Sequence, residues 1–198
     1  NVCTRDRPTE LALLLLSLKN QTYQNFDILV LEDQSGTPWH NYHFLVCLIN
    51  KLKEEGHQVI IERSPFHYGV SKSRQYLAER SRALGYKYIC RLDDDIILDQ
   101  EYLQKLLKVI EAGYDLASGI TPFIGQPQFQ RESRFIQPVG NKVVLENGEF
   151  IFNGDDFGHR YYDEAILPIL HFRSCALYKS EIHDKVSYKS RLSKHGFR

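Results

Sequence analysis

Neither sign of charge is in excess in this 198-residue chain, where 25 lysines and arginines meet 25 aspartates and glutamates. A balanced surface has no global field to gather nucleic acid or anionic lipid, so a phosphate-bearing partner needs a local site. Cysteine pairs are missing too. Cys3, Cys47, Cys90 and Cys175 show no C-x-x-C pair and no zinc-like grouping with histidine, which argues for reduced thiols and a cytoplasmic chain. Long apolar runs are absent: Leu11 to Leu16 is far too short to span a bilayer, and no cleavable signal precedes it. There is no internal repeat and no low-complexity tract. What is present is a hydrophobic fraction of 42%, enough for the core of one domain with an appended subregion. The chain opens inside an apolar segment at Asn1-Val2-Cys3 and stops at Gly196-Phe197-Arg198. It is expected to be an excised fragment, with any membrane association left to parts outside it.

The first 119 residues alternate short apolar runs with helical patterns. Strands are expected at Val2 to Cys3, Phe26 to Leu31, Val59 to Ile61 and Tyr86 to Leu92, with a fifth from Asp115 to Ser118. Helices are expected from Pro8, along Leu11, Leu14, Leu15 and Leu18; along Phe44, Leu48 and Leu52 to a cap at Gly56; from an N-cap at Ser71 to Gly85; and from Glu101 to Ala112. That alternation predicts an α/β fold, a mainly parallel sheet flanked by helices. Residues 120–198 read as a smaller, irregular or antiparallel half, with Asn147-Gly148 marking a hairpin. A further strand is expected from Ile169 to Tyr178, with a short helix near Ser180 to Lys185.

Open parallel sheets bind ligands beyond the carboxyl ends of their strands. Four polar groups fall there: Thr4-Arg5-Asp6-Arg7, Glu32-Asp33, Ser64 to Gly69, and Asp93-Asp94-Asp95. Three adjacent carboxylates after an apolar strand repel one another unless a cation sits against them, and oxygen ligands suit Mg²⁺ or Mn²⁺. Arg74 follows Gly69, a residue that lets the backbone approach a ligand closely. The histidines show no ligand spacing; His40 and His43 lack a third partner.

Together these stretches resemble glycosyltransferase family 2 of the GT-A fold. Cys3-Thr4-Arg5-Asp6-Arg7-Pro8 is similar to the family's opening Thr-x-Asn-Arg segment. Ser17 to Ser35 resembles its S-x-x-x-Q-T to D-D-x-S segment, Gly69 to Arg74 its glycine-to-arginine stretch, and Asp93-Asp94-Asp95 its D-x-D motif. The resemblance covers about residues 2 to 120. It implies a nucleotide-sugar-binding half at 1–119, with Thr4, Arg5, Arg7, Glu32, Asp33, Arg74, Asp93 and Asp94 at the donor. Asp33 would read the base through a uracil ring N–H. Asp95, with Asp93, would hold Mn²⁺ or Mg²⁺ on the diphosphate. Asp6 departs from the family's usual Asn, and Glu32 from its usual Asp.

The activity so implied is metal-dependent, inverting transfer of a sugar from a nucleotide-diphosphate donor, expected to be a UDP-sugar, to a saccharide or other hydroxyl acceptor. No nucleic acid partner is expected. The general base is expected beyond Arg198, with Asp155, Asp156, Asp163 and Glu164 as weaker substitutes. Rival readings are a sugar nucleotidyltransferase, although Val2 to Thr9 lacks that class's glycines; a non-catalytic nucleotide or sugar-binding module; and a phosphatase using Asp93.

Overall fold

The computed structural model describes residues 1–119, 142–146, 149–153 and 175–188. Two units divide the chain, Asn1–Gly119 with Ser174–Arg198, and Ile120–Arg173.

In the first unit, strand β1 (Val2–Thr4) leads to helix α1 (Pro8–Lys19), and β2 (Ile28–Glu32) through a 3₁₀ turn (Trp39–Asn41) to α2 (His43–Glu54). β3 (Val59–Arg63) precedes α3 (Gly69–Ala83), and β4 (Tyr88–Asp93) precedes α4 (Tyr102–Glu111) and the short β5 (Leu116–Ala117). In the second unit, β6 (Lys142–Glu146) and β7 (Glu149–Asn153) pair antiparallel with Glu146 opposite Glu149. The chain re-enters the first unit as β8 (Ala176–Lys179), followed by a 3₁₀ turn at Ser180–Asp184. The rest of the segment expected as a strand from Ile169, and Asp155, Asp156, Asp163, Glu164 and Gly196 to Arg198, lie outside the described residues.

The sheet order is β3-β2-β1-β4-β8-β5. β3, β2, β1 and β4 run parallel, while β8 is antiparallel to both β4 and β5. Strand β2 shows why the sheet is covered on both faces, since all five of its residues are buried. Its alternate side chains go to different layers, as a period of two demands. Ile28 and Val30 join Leu11, Leu14, Leu15, Leu18, Leu45, Ile49 and Leu52 of α1 and α2, and Leu29 and Leu31 meet Leu77 of α3. Each such fully buried Leu or Ile contributes roughly 1.5–3 kcal/mol.

Two sequence expectations shift by a residue or two, with visible causes. The buried face of α2 is Leu45, Ile49 and Leu52, and Phe44 stays 49% exposed. Helix α3 starts at Gly69 rather than after a Ser71 cap, and Tyr68 at its N-cap makes no side-chain capping bond. The missing cap is supplied from a distant strand end.

Candidate functional site

The carboxyl ends of β1, β2, β3 and β4 open onto one cleft of about 450 Å³. Its wall includes Thr4, Arg5, Arg7, Asp33, Arg74, Asp93, Asp94 and Asp95. Eight of the nine sequence-expected site residues therefore meet along one sheet edge, and Glu32 is the exception.

Parity explains Glu32. It shares the face of Ile28 and Val30, so its carboxylate points into the helical layer, accepts the Trp39 N–H at 2.9 Å and pairs with Arg63 at 3.7 Å. It is 3% exposed and is absent from the cleft wall. In this structure Glu32, expected at the donor, instead supports the 3₁₀ turn.

Asp33, one residue on, lies on the cleft side and is nearly filled. Its Oδ1 accepts the Ser64 hydroxyl at 2.9 Å and the Tyr68 N–H at 2.7 Å, and its Oδ2 accepts the Gly69 N–H at 2.9 Å. This carboxylate is the cap that α3 lacks locally, and it faces the positive end of that helix. Burial by itself pushes the Asp33 carboxyl up, yet the bonds from Tyr68, Gly69 and Ser64, with His67 beside them, outweigh it and hold it below the ordinary range. Gly69 suits the join because its φ of +74° is left-handed, although a Cβ there would meet nothing within 4 Å.

The aspartate triplet is divided among cationic partners. Asp93 accepts Arg74 NH2 at 2.8 Å. Asp94, only 7% exposed, accepts the Thr4 hydroxyl at 2.8 Å and Arg7 NH1 at 3.2 Å. Burial pushes the Asp94 carboxyl up more than those partners lower it. Asp95 accepts the same Arg7 nitrogen at 2.8 Å. Arg7, flanked first by Asp94 and then by Asp95, is held firmly charged. The cost foreseen for three adjacent carboxylates is thus met by two guanidiniums.

The loops bearing these groups are tied across the sheet edge. Asp6 has φ of 54°, a left-handed conformation that Asp and Asn adopt more readily than other side chains, which accounts for an Asp in the place of the expected Asn. Its Oδ1 accepts the Gly36 N–H at 2.6 Å and its own N–H donates to Ser35 Oγ at 3.0 Å, joining the β1 and β2 loops.

The arrangement fits a divalent cation that brings phosphates with it. Among the described residues no three acidic, histidine or cysteine side chains form a ready cluster. Mg²⁺ and its analogues, however, need only one or two carboxylates when phosphate oxygens complete the shell. Asp93 and Asp95 can supply those, and the Arg7 guanidinium between Asp94 and Asp95 already marks a place for positive charge. Asp94, spent on Thr4, serves to fix the corner. Two further atoms suit a ligand: Ser73 Oγ and Arg74 Nε are buried without a hydrogen-bond partner among the described residues. Ser73, together with His67 and Val70, also lines the cleft; in the sequence these residues stood out only as members of the stretches Ser64 to Gly69 and Gly69 to Arg74. Position one turn into the helix after Gly69 was the available signal.

The model of the family described as Glycosyl transferase family 2 matches residues 2–186. Among solved structures, S. aureus TarS is similar with a TM-score of 0.55 and 15% identity, over 93% of this chain and 28% of that one. S. aureus TarS 1–349 gives 0.53 and 14%, over 93% and 47%. Mannosyltransferase PcManGT from Pyrobaculum calidifontis, in complex with GDP-Man and Mn²⁺, gives 0.46 and 11%, over 61% and 34%. The chain spans less than half the length of each of these structures. No curated protein matches it.

Proposed function

Because this chain belongs to glycosyltransferase family 2 and has the GT-A fold, we propose that its cleft binds a nucleotide-diphosphate sugar and passes the sugar to an acceptor hydroxyl. The observation that carries this is the meeting of Asp33, Arg5, Arg7, Arg74 and the Asp93 to Asp95 corner in one cleft at the strand ends. Each group then has a task suited to its chemistry. Asp33 is an acceptor-only group and faces the base, which favours uracil, whose ring carries an N–H. Arg5 and Arg7 reach the diphosphate, and Arg74 with Ser73 lies near the nucleoside. Asp93 and Asp95 hold Mn²⁺ or Mg²⁺, which when bound neutralises the departing nucleoside diphosphate.

Transfer with inversion further requires a carboxylate to take the acceptor's proton. In this reading the described cleft acids already have tasks: Asp33 at the base and the start of α3, Asp93 and Asp95 at the metal, and Asp94 with Thr4 and Arg7 at the corner. The base is therefore drawn from outside them. A cytoplasmic setting agrees with the absence of disulfides among the four cysteines. Among the described residues, no helix is long and apolar enough to cross a membrane.

Calorimetry with UDP, with and without Mn²⁺, on the wild type and Asp95→Ala tests the reading. Affinity should rise with Mn²⁺ in the wild type, and the variant should lose that gain alone. Equal affinity in every arm would refute it.

A further inference from the structure

Of the four groups against the Asp33 carboxylate, three belong to the frame and one does not. Ser64, Tyr68 and Gly69 are set by the end of β3 and the start of α3, and the two backbone N–H groups cannot leave without unwinding that start. The fourth is His67, whose Nδ1 lies 2.7 Å from Asp33 Oδ2 while its side chain is 55% exposed. Arg5 NH1 lies 3.1 Å from Nδ1 and 3.2 Å from Nε2 of the same ring, so the tautomer with Nδ1–H toward Asp33 leaves Nε2 as the acceptor for Arg5. The loop on either side is anchored independently. Lys72 Nζ sits 4.2 Å from the ring centroids of both Phe66 and Tyr68, which themselves meet edge to face at 5.0 Å. The His67 ring can thus swing on its own torsions while its neighbours stay.

A carboxylate has room for about four hydrogen bonds; Asp33 holds three, and the His67 ring, 2.7 Å from Oδ2, occupies the remaining place. Any base that places a ring N–H on this group must first take the position of His67. We propose that His67 is a placeholder for the nucleobase: it covers the Asp33 acceptor in the free protein and is displaced by a ring N–H. This rests on the nucleotide reading above and adds the residue that sets the base affinity. The favoured bases carry a hydrogen on the reading nitrogen, as uracil and guanine do; cytosine and adenine present a bare nitrogen there and cannot displace the imidazole.

Competition of this kind has a direction. Removing the competitor should tighten binding of the base and leave binding of the phosphates alone. Calorimetry with uridine, UDP and Mn²⁺-pyrophosphate on the wild type, His67→Ala and His67→Gln reads this directly. His67→Ala should bind uridine and UDP about fivefold more tightly, since the polar contact of an exposed side chain is lost from the free state alone. Mn²⁺-pyrophosphate should bind all three proteins equally. His67→Gln, which keeps an amide N–H for Asp33, should stay near the wild type. Nitrogen NMR of the ring gives a second readout, with the Nδ1 signal expected to lose its carboxylate-bonded shift when uridine is added. Unchanged or weaker uridine binding in His67→Ala, or an equal gain for pyrophosphate, overturns the placeholder role while leaving the nucleotide site intact. Absence of uridine and UDP binding from wild type and variants alike overturns the proposed function, and this inference with it.

Discussion

Replacing Asp33 with alanine should damage the fold before it reports on any ligand. The carboxylate is 5% exposed, and its loss strands the Ser64 hydroxyl and the N–H groups of Tyr68 and Gly69. A helix cap contributes about 0.5–2 kcal/mol. A hydrogen bond to a charged group contributes about 1.5–3 kcal/mol, and several on one group add less than their sum. Relief of the burial cost and entry of water offset part, so Asp33→Ala should cost about 3 kcal/mol at neutral pH. For a chain of this size that corresponds to a fall in Tm of roughly 6–12 °C. Thermal and urea unfolding of both proteins measure it. The pH dependence has a definite sign. The folded carboxyl titrates below its ordinary range, so on acidification the unfolded chain takes up the proton first. The wild type's advantage is therefore full above the ordinary carboxylate range and vanishes as pH falls through the lower folded-state value. A Tm difference within about 1 °C at neutral pH, or one independent of pH, would refute the capping argument.

Two other substitutions separate support from site. Glu32→Ala should lower stability by about 1–3 kcal/mol, by leaving the Trp39 N–H without its acceptor and Arg63 without its ion-pair partner, yet leave UDP affinity unchanged. A large affinity loss in a protein that folds normally would return Glu32 to the cleft. Tyr86 donates to Asp27 at 2.6 Å, and burial together with that carboxylate pushes its hydroxyl up to about 12. Tyr86→Phe should cost about 1 kcal/mol at neutral pH. Because the folded value is raised, the gap should hold below the ordinary tyrosine range and close as pH rises toward about 12, followed by urea unfolding and ultraviolet titration.

The sheet was legible because strands buried on both faces stand out as unbroken apolar runs, and the leucines of α1 at 11, 14, 15 and 18 all fall in the core as their spacing requires. The cleft was legible because strand ends converge. What escaped reading depends on phase and distance. A strand buried throughout, like β2, has no alternation to tell which of Glu32 and Asp33 faces the ligand. The start of α3 was misplaced at Ser71 because local rules seek a cap next to the helix, whereas this one arrives from Asp33, 35 residues before Tyr68. The face of α2 slipped to Phe44 because two apolar stripes lie side by side on that helix, and only packing against α1 decides between them. That Asp94 is the buried member of the triplet, held by Thr4, could not be read from three aspartates in a row.

Asp33 is the rivet between two loops and, in the function proposed above, also the group that meets the base. Such a residue is shielded from drift, since any exchange that altered base preference would first loosen the helix it pins. Divergence in donor choice therefore has to run through neighbours that bear no such duty, with the exposed imidazole of His67 and the side chain of Arg5 first among them. The framework stays constant while the preference moves at its rim.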